Sequence, residues 1–192
     1  MVVNRLTVIR HAPTESNGAR VFMGGKDVAA TAQGLEEAAA RADGLGEAGY
    51  APVFASPLRR ALSTAHALFP TSTVTADPRL AERSLGEWEG QPHDLVRERH
   101  PRAFSLGGVL DPRFTPPGGE DLDTFLQRIR SFLRDAAEAS RNGSPVAVSH
   151  NGWIRTAQYL TGRLTAEEIF VEGVPFLQPI ELDLRPLLAG RL

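Results

Sequence analysis

The chain has 192 residues, a hydrophobic fraction of 42% and a charged fraction of 23%, which suits one globular domain and excludes a disordered tail. A formal net charge of −2 leaves no basic field for gripping nucleic acid, and the absence of Cys excludes disulfides, Cys-ligated metals and thiol nucleophiles. The cations are lopsided, with 20 Arg and one Lys, Lys26. Most of that bias reads as composition, but some Arg residues could do bidentate work on phosphate or carboxylate that Lys cannot copy.

In chain order, Leu6-Thr7-Val8-Ile9 reads as a short buried strand that runs into Arg10-His11-Ala12-Pro13. Arg5 and Arg10 leave too short an apolar run between them for a secretory signal, and no run is long enough for a membrane helix. A cytoplasmic protein without membrane or nucleic-acid partners is therefore expected. Residues 10–31 read as loop. Leu35, Ala38, Ala39, Ala42 and Leu45 then predict one helix from about Thr31 to Gly49. Pro52-Val53-Phe54-Ala55 predicts a second strand. Ser56 is expected to cap the next helix, with Pro57 in its first turn and an end near Phe69. Thr73-Val74-Thr75 suggests a third strand.

Residues 83–119 are rich in Pro and Gly, and read as an irregular lid or insert within a single domain spanning 1–192, with a polar helix around Asp94 to His100. From Asp121 the pattern is regular again. Leu122, Phe125, Leu126, Ile129, Phe132, Leu133 and Ala136 fall on one helical stripe, which Asn142-Gly143 ends. Pro145-Val146-Ala147-Val148 predicts a fourth strand breaking into Ser149-His150-Asn151-Gly152, then a helix to Gly162. Residues 174–184 hold one or two final strands. For the last stretch, with Phe170, Phe176, Leu177 and Ile180, core packing is the expected role.

Alternating strands and helices predict an α/β, three-layer sandwich with a largely parallel central sheet flanked by helices. Parallel strands present their carboxyl ends on one edge, where such folds bind ligands. Three strands here end in polar residues: Ile9 before Arg10-His11, Ala55 before Ser56 and the Arg59-Arg60 pair, Val148 before Ser149-His150. If they are parallel, two His and two Arg meet at that edge. His11 and His150 lack a third ligand at a metal-site spacing, so neither a metal nor another cofactor is expected. A nucleophilic imidazole among guanidiniums points to phosphoryl transfer.

These residues resemble the histidine phosphatase superfamily, phosphoglycerate mutase-like branch. Arg10-His11-Ala12-Pro13-Thr14-Glu15-Ser16-Asn17 is similar to its Arg-His-Gly-Glu-Thr-x-x-Asn signature. Ser56-Pro57-Leu58-Arg59-Arg60-Ala61 resembles its Ser-Pro-Leu-x-Arg-Ala motif, which puts the family Arg on Arg59 or Arg60, with Arg59 favoured. Leu80-Ala81-Glu82, Gly86-Glu87-Trp88-Glu89-Gly90, Pro117-Gly118-Gly119-Glu120 and Val148-Ser149-His150-Asn151-Gly152-Trp153-Ile154-Arg155 follow in the family's order.

The resemblance implies a metal-independent phosphatase acting on a small phosphomonoester, with His11 as nucleophile. Arg10, Arg59 and His150 would hold the phosphoryl oxygens, and Glu82 would serve as acid and base, with Glu87 and Glu89 as rivals. Asn17, Thr14, Asn151 and Arg83 are the implied substrate contacts. His93, Arg97, Arg99, His100, Arg102 and Arg113 are further candidates for recognising the rest of the substrate. Ala12 and Asn151 stand where the family usually has Gly; the Ala12 methyl could crowd the phosphate or strain a backbone that needs positive φ. Only 35 residues separate Glu82 from Gly118, which favours a hydrolase over a mutase with a long covering segment. A mutase-type phosphotransferase or a non-catalytic phospholigand-binding module are the alternatives. The sequence leaves oligomeric state open.

Overall fold

Five strands order as β3-β2-β4-β1-β5 in the computed structural model, which describes residues 4–104, 110–166, 168–170 and 173–188. They are β1 (Arg5–Arg10), β2 (Val53–Ala55), β3 (Val74–Ala76), β4 (Val146–Ser149) and β5 (Pro179–Asp183). The first four are mutually parallel, and β5 runs antiparallel to β1 at the sheet edge, so residues 174–184 hold one strand. The helices are α1 (Ala32–Ala39), α2 (Ala42–Glu47), α3 (Arg59–Leu68), α4 (His93–Arg99), α5 (Leu122–Ala139), α6 (Asn151–Leu160) and α7 (Arg185–Leu188).

The layering follows from the two-residue side-chain period of the strands. On one face Leu6, Val8 and Ala147 pack with Phe125, Ile129, Phe132 and Leu133 of α5 and with Trp153, Ile154 and Ala157 of α6. On the other, Ile9, Val53, Ala55, Val146 and Val148 pack with Ala38 of α1 and with Ala61, Ala65 and Leu68 of α3. Two cores on opposite faces of one sheet make the expected three-layer α/β sandwich. A smaller cluster of Trp88, Val96 and Ala103, with Phe22, Leu85, Phe104, Leu110 and Phe114 against it, organises the irregular central segment.

Two sequence expectations change. The helix anticipated over 31–49 is two helices, because the chain tightens at Ala40 and Arg41 and the second half carries the poor helix formers Gly44 and Gly46. Ser56 does not cap α3. The helix begins at Arg59, and the Ser56 Oγ is held instead by His150. By contrast, the Asp121 carboxylate caps α5, accepting from the Thr124 amide at 2.8 Å.

The register of the parallel strands aligns their carboxyl ends. Val148 lies opposite both Ile9 and Ala55. The residues just past these three strands therefore emerge side by side, tied by the His11 amide to the Ser149 carbonyl (3.0 Å) and the Ser56 amide to the Val148 carbonyl (2.9 Å). Among the described residues, no helix is long and apolar enough to cross a membrane.

Candidate active site

A cavity of about 190 Å³ opens at the carboxyl ends of β1, β2 and β4, and Arg10, His11, Thr14, Asn17, Arg60 and Glu82 are in its wall. His11 is buried, and its Nδ1 donates to the Ala12 carbonyl at 2.6 Å. That bond places the proton on Nδ1 and leaves the Nε2 lone pair free, with no hydrogen bond among the described residues. Burial, reinforced by the positive charges of Arg60 and Arg10, lowers the His11 pKa to about 3 against the upward pull of the Ala12 carbonyl. The ring is thus neutral at neutral pH, with the Nε2 lone pair unprotonated.

His150 stands beside it, ring centroids 5.1 Å apart. It is fully enclosed, and burial first, then His11 and Arg60, hold its pKa well below the usual imidazole value. Both its nitrogens are engaged: Arg60 Nε donates to Nδ1 at 3.2 Å, so Nε2 carries the proton and donates to Ser56 Oγ at 2.7 Å. His150 does not line the small cavity; its contacts run to the Arg60 guanidinium and the His11 ring.

Two neutral buried imidazoles couple stability to pH. A folded pKa below the unfolded value means that the unfolded chain binds the extra proton. The stabilisation is present above about pH 6.5 and is lost as pH falls toward the folded value. The wild-type Tm is expected to drop more steeply between about pH 7 and about pH 4 than that of His11→Asn, which cannot take up that proton. Parallel curves in a thermal-denaturation series would mean that burial does not keep His11 neutral.

The structure corrects the choice between the adjacent arginines. Arg59 is exposed, its Nε 3.2 Å from the Asp27 carboxylate and its Nη2 3.1 Å from the Asp27 carbonyl. Arg60 is buried in the cavity wall and also donates to the carbonyls of Lys26 (2.7 Å) and Gly24 (3.0 Å). The reason is helical periodicity: Arg60, Thr64 and Leu68 share the buried stripe of α3, whereas Arg59 lies one residue off it. That stripe was readable in the sequence and points to Arg60. Arg10 places its guanidinium 3.8 Å over the Phe176 ring, and its Nη1 donates to the Val174 carbonyl at 2.6 Å. Its Nε is buried with no partner among the described residues.

Glu82 lies at the junction of this cavity and a larger one of about 710 Å³. Its carboxylate sits on the N-terminus of α6, accepting from the amides of Gly152 (2.8 Å) and Trp153 (3.0 Å), and also from its neighbour Arg83 (3.1 Å). A Cβ on Gly152 would stand 2.7 Å from that carboxylate, so glycine there permits the contact. The rivals are elsewhere. Glu87 is exposed, and Glu89 accepts from the amides of Gly25 and Leu85 (2.7 and 2.8 Å), tying two loops together.

Thr14 and Asn17 form part of the cavity wall, joined by the Thr14 amide to the Asn17 Oδ1 at 2.7 Å. Asn151 borders both cavities and accepts from the Val174 amide at 2.8 Å. Arg83 is not beside the small cavity. Its guanidinium donates to the carbonyls of Glu120, Pro112 and Phe114, which ties down the central segment rather than offering a free substrate contact. Of the other basic residues considered there, His93 packs on Phe22 and His100 on Trp88, while Arg113 borders the larger cavity already paired with Asp111. Ala12 adopts no positive φ, and its methyl packs into the core beside Gly34, outside the cavity wall.

Ser56, expected as a helix cap, and Arg128, unassigned by the sequence, both position site residues. Ser56 orients His150. Arg128 grips the Glu120 carboxylate (2.6 and 2.9 Å) and donates to the carbonyls of Arg79, Ala81 and Glu82, so it holds the segment that carries Glu82. The glycine-rich motifs also meet: a Cβ on Gly86, at φ +54°, would fall 2.2 Å from the Pro117 carbonyl. No His, Cys, Asp and Glu cluster suited to a metal occurs among the described residues.

Parallel strand ends here present paired histidines, the buried Arg60, the half-buried Arg10 and one anchored carboxylate, a set of groups suited to a phosphoryl group. The family model of the histidine phosphatase superfamily (branch 1) matches residues 6–170, and the chain belongs to that superfamily. Fructose-2,6-bisphosphatase TIGAR of Bos taurus is 37% identical over 135 residues, which is 67% of this chain and 48% of that protein. The chain thus spans about half the length of that relative. Glucosyl-3-phosphoglycerate phosphatase of Mycolicibacterium vanbaalenii is 35% identical over 163 residues, covering 80% of this chain and 72% of the relative. Among solved structures, a mycobacterial glucosyl-3-phosphoglycerate phosphatase in complex with VO3 superposes with a TM-score of 0.76 at 28% identity, over 92% of this chain and 91% of that one. YhfR of Bacillus stearothermophilus shares the fold, with a TM-score of 0.81 at 24% identity over 92% of this chain and 89% of that one.

Proposed function

We propose that the protein hydrolyses a small phosphomonoester, without a metal ion, through a phosphohistidine on His11. The observation that carries this is the neutral His11, its Nε2 free, in the wall of a cavity that also contains Arg10 and Arg60. In the first step Nε2 forms a bond to phosphorus as the bond to the alcohol oxygen breaks, and the Glu82 carboxyl gives its proton to that oxygen. In the second, the Glu82 carboxylate takes a proton from water, the water oxygen bonds to phosphorus, and the N–P bond breaks to release inorganic phosphate. Arg10 and Arg60 supply fixed positive charge where the transferring group gathers negative charge, the kind of preorganised electrostatics that phosphoryl transfer relies on. The buried Arg10 Nε is a donor that a phosphate oxygen would satisfy. The relatives' names, two of them phosphatases, support hydrolysis over transfer between substrate hydroxyls.

The test is turnover of p-nitrophenyl phosphate and of an alkyl phosphate in excess chelator. Glu82→Gln is expected to lower kcat/KM for the alkyl ester, which reports the phosphorylation step and not the dephosphorylation common to both esters, by about 10²–10⁴-fold, the usual worth of a positioned general acid. The p-nitrophenyl ester, whose leaving group needs no proton, should suffer much less. Equal losses on both esters would remove Glu82 from the acid role, and activity that disappears with chelator would overturn the metal-free reading.

A further inference from the structure

The larger cavity, about 710 Å³, adjoins the small one and shares Gly24, Glu82 and Asn151 with it. An alcohol leaving from phosphorus at His11 and protonated by Glu82 passes into this space. Its volume is that of a site for a small organic molecule. Its walls are largely apolar: Leu85, Leu122, Phe125, Leu126, Tyr159 and Ile169. The guanidiniums bordering it are already engaged. Arg83 donates to three backbone carbonyls, Arg113 pairs with the Asp111 carboxylate at 2.9 Å, and Arg155 donates to the carbonyls of Ile169 and Glu168. Arg83 and Arg155 are committed to backbone carbonyls and Arg113 is an exposed cation already balanced by Asp111, whereas the apolar walls favour an aromatic or branched hydrocarbon by burial.

We infer that the larger cavity binds the alcohol part of the substrate, and that this alcohol is a bulky, uncharged, aromatic-bearing group rather than a sugar, glycerate or second phosphate. Leu122, Leu126 and Tyr159 then set specificity. This rests on the phosphatase reading. The two cavities divide the substrate between them: the small one takes the phosphoryl group through guanidiniums, and the large one takes the alcohol through burial.

The experiment compares kcat/KM for esters of similarly poor alcohol leaving groups, so that leaving-group chemistry cancels. 2-Phenylethyl phosphate and 2-(2-naphthyl)ethyl phosphate are set against glycerol 3-phosphate and 3-phosphoglycerate. The wild-type enzyme is expected to favour the arylalkyl esters by about tenfold or more, the scale on which hydrophobic pockets discriminate. Leu126→Gln, and separately Leu122→Asn, should each cut the ratio of naphthylethyl to glycerol ester by about fivefold. Glycerol 3-phosphate or 3-phosphoglycerate turned over as well as the arylalkyl esters would overturn the inference, as would a ratio unchanged in both variants. The wild-type comparison decides even if a variant fails to fold. Hydrolysis of no ester in either class is the distinct failure of the phosphatase reading itself.

Discussion

Replacing His11 with Ala is expected to lower aryl phosphate turnover by about 10⁴-fold or more, the scale seen when an enzyme loses its nucleophile. On the proposed mechanism the substitution removes the atom that bonds to phosphorus, and no neighbour is placed to replace it. His150 is the nearest imidazole, but Arg60 occupies its Nδ1 and Ser56 its Nε2. The ring at position 11 is prepared in two ways: the Ala12 carbonyl fixes the tautomer, and burial keeps the ring neutral. Wild-type enzyme quenched during turnover should carry phosphate that is labile to acid and stable to alkali, as a phosphoramidate is, and peptide mapping should place it on His11. Retained turnover in His11→Ala, or label on another residue, would falsify the mechanism.

The second large effect separates two adjacent arginines. Arg60→Ala is expected to reduce kcat/KM by about 10³-fold, at the low end of what a transition-state arginine contributes. Arg59→Ala should change it by less than about threefold, since an exposed ion pair is worth about 0–1 kcal/mol and lies outside the cavity. Burial lowers the Arg60 pKa, and Glu82, Asp27 and Glu89 counter that effect, so the guanidinium stays charged where it is needed. Arg60→Lys should recover little. A single ammonium cannot serve His150 Nδ1, the Gly24 and Lys26 carbonyls and a phosphate oxygen from one planar fork. The discriminating measurement is steady-state kinetics on all three variants, with thermal melts alongside, because Arg60 also braces the loop at residues 24–26. Equal losses at positions 59 and 60 would contradict the assignment.

Much of the architecture was legible because it rests on local periods. The short apolar runs of β1, β2 and β4 each specify a strand and the stripe of α5 a helix with its buried face, and the polar residues that follow each strand could be located before any packing was known. Strand polarity then carried Arg10, His11 and His150 to one sheet edge, where the structure also brings Arg60 and Ser56. The errors arose where local signals competed. Ser56-Pro57 has the chemistry of a helix cap, but a hydroxyl at 2.7 Å from a buried imidazole satisfies a costlier donor than an exposed helix end would. Apolar spacing suggests one helix over 31–49, but Gly44 and Gly46 weaken its second half and the chain forms two.

The excess of arginine shows the division most plainly. The sequence alone determined that guanidinium, not ammonium, is the available cation, and that strand ends carry it beside two histidines. It could not determine which guanidiniums remain open to a ligand. Arg79, Arg83, Arg113 and Arg128 are engaged with carboxylates or carbonyls away from the small cavity, while Arg10 and Arg60, which also donate to carbonyls and to His150, are the two that border it. Neighbours on a helix point about 100° apart, so one residue of offset sends Arg59 to solvent and Arg60 to the site. The seating of Glu82 on α6 and the apolar space beyond it likewise depend on segments distant in the chain. Composition and period are local properties; the partners that occupy a charge, or leave it open, are decided only by tertiary packing.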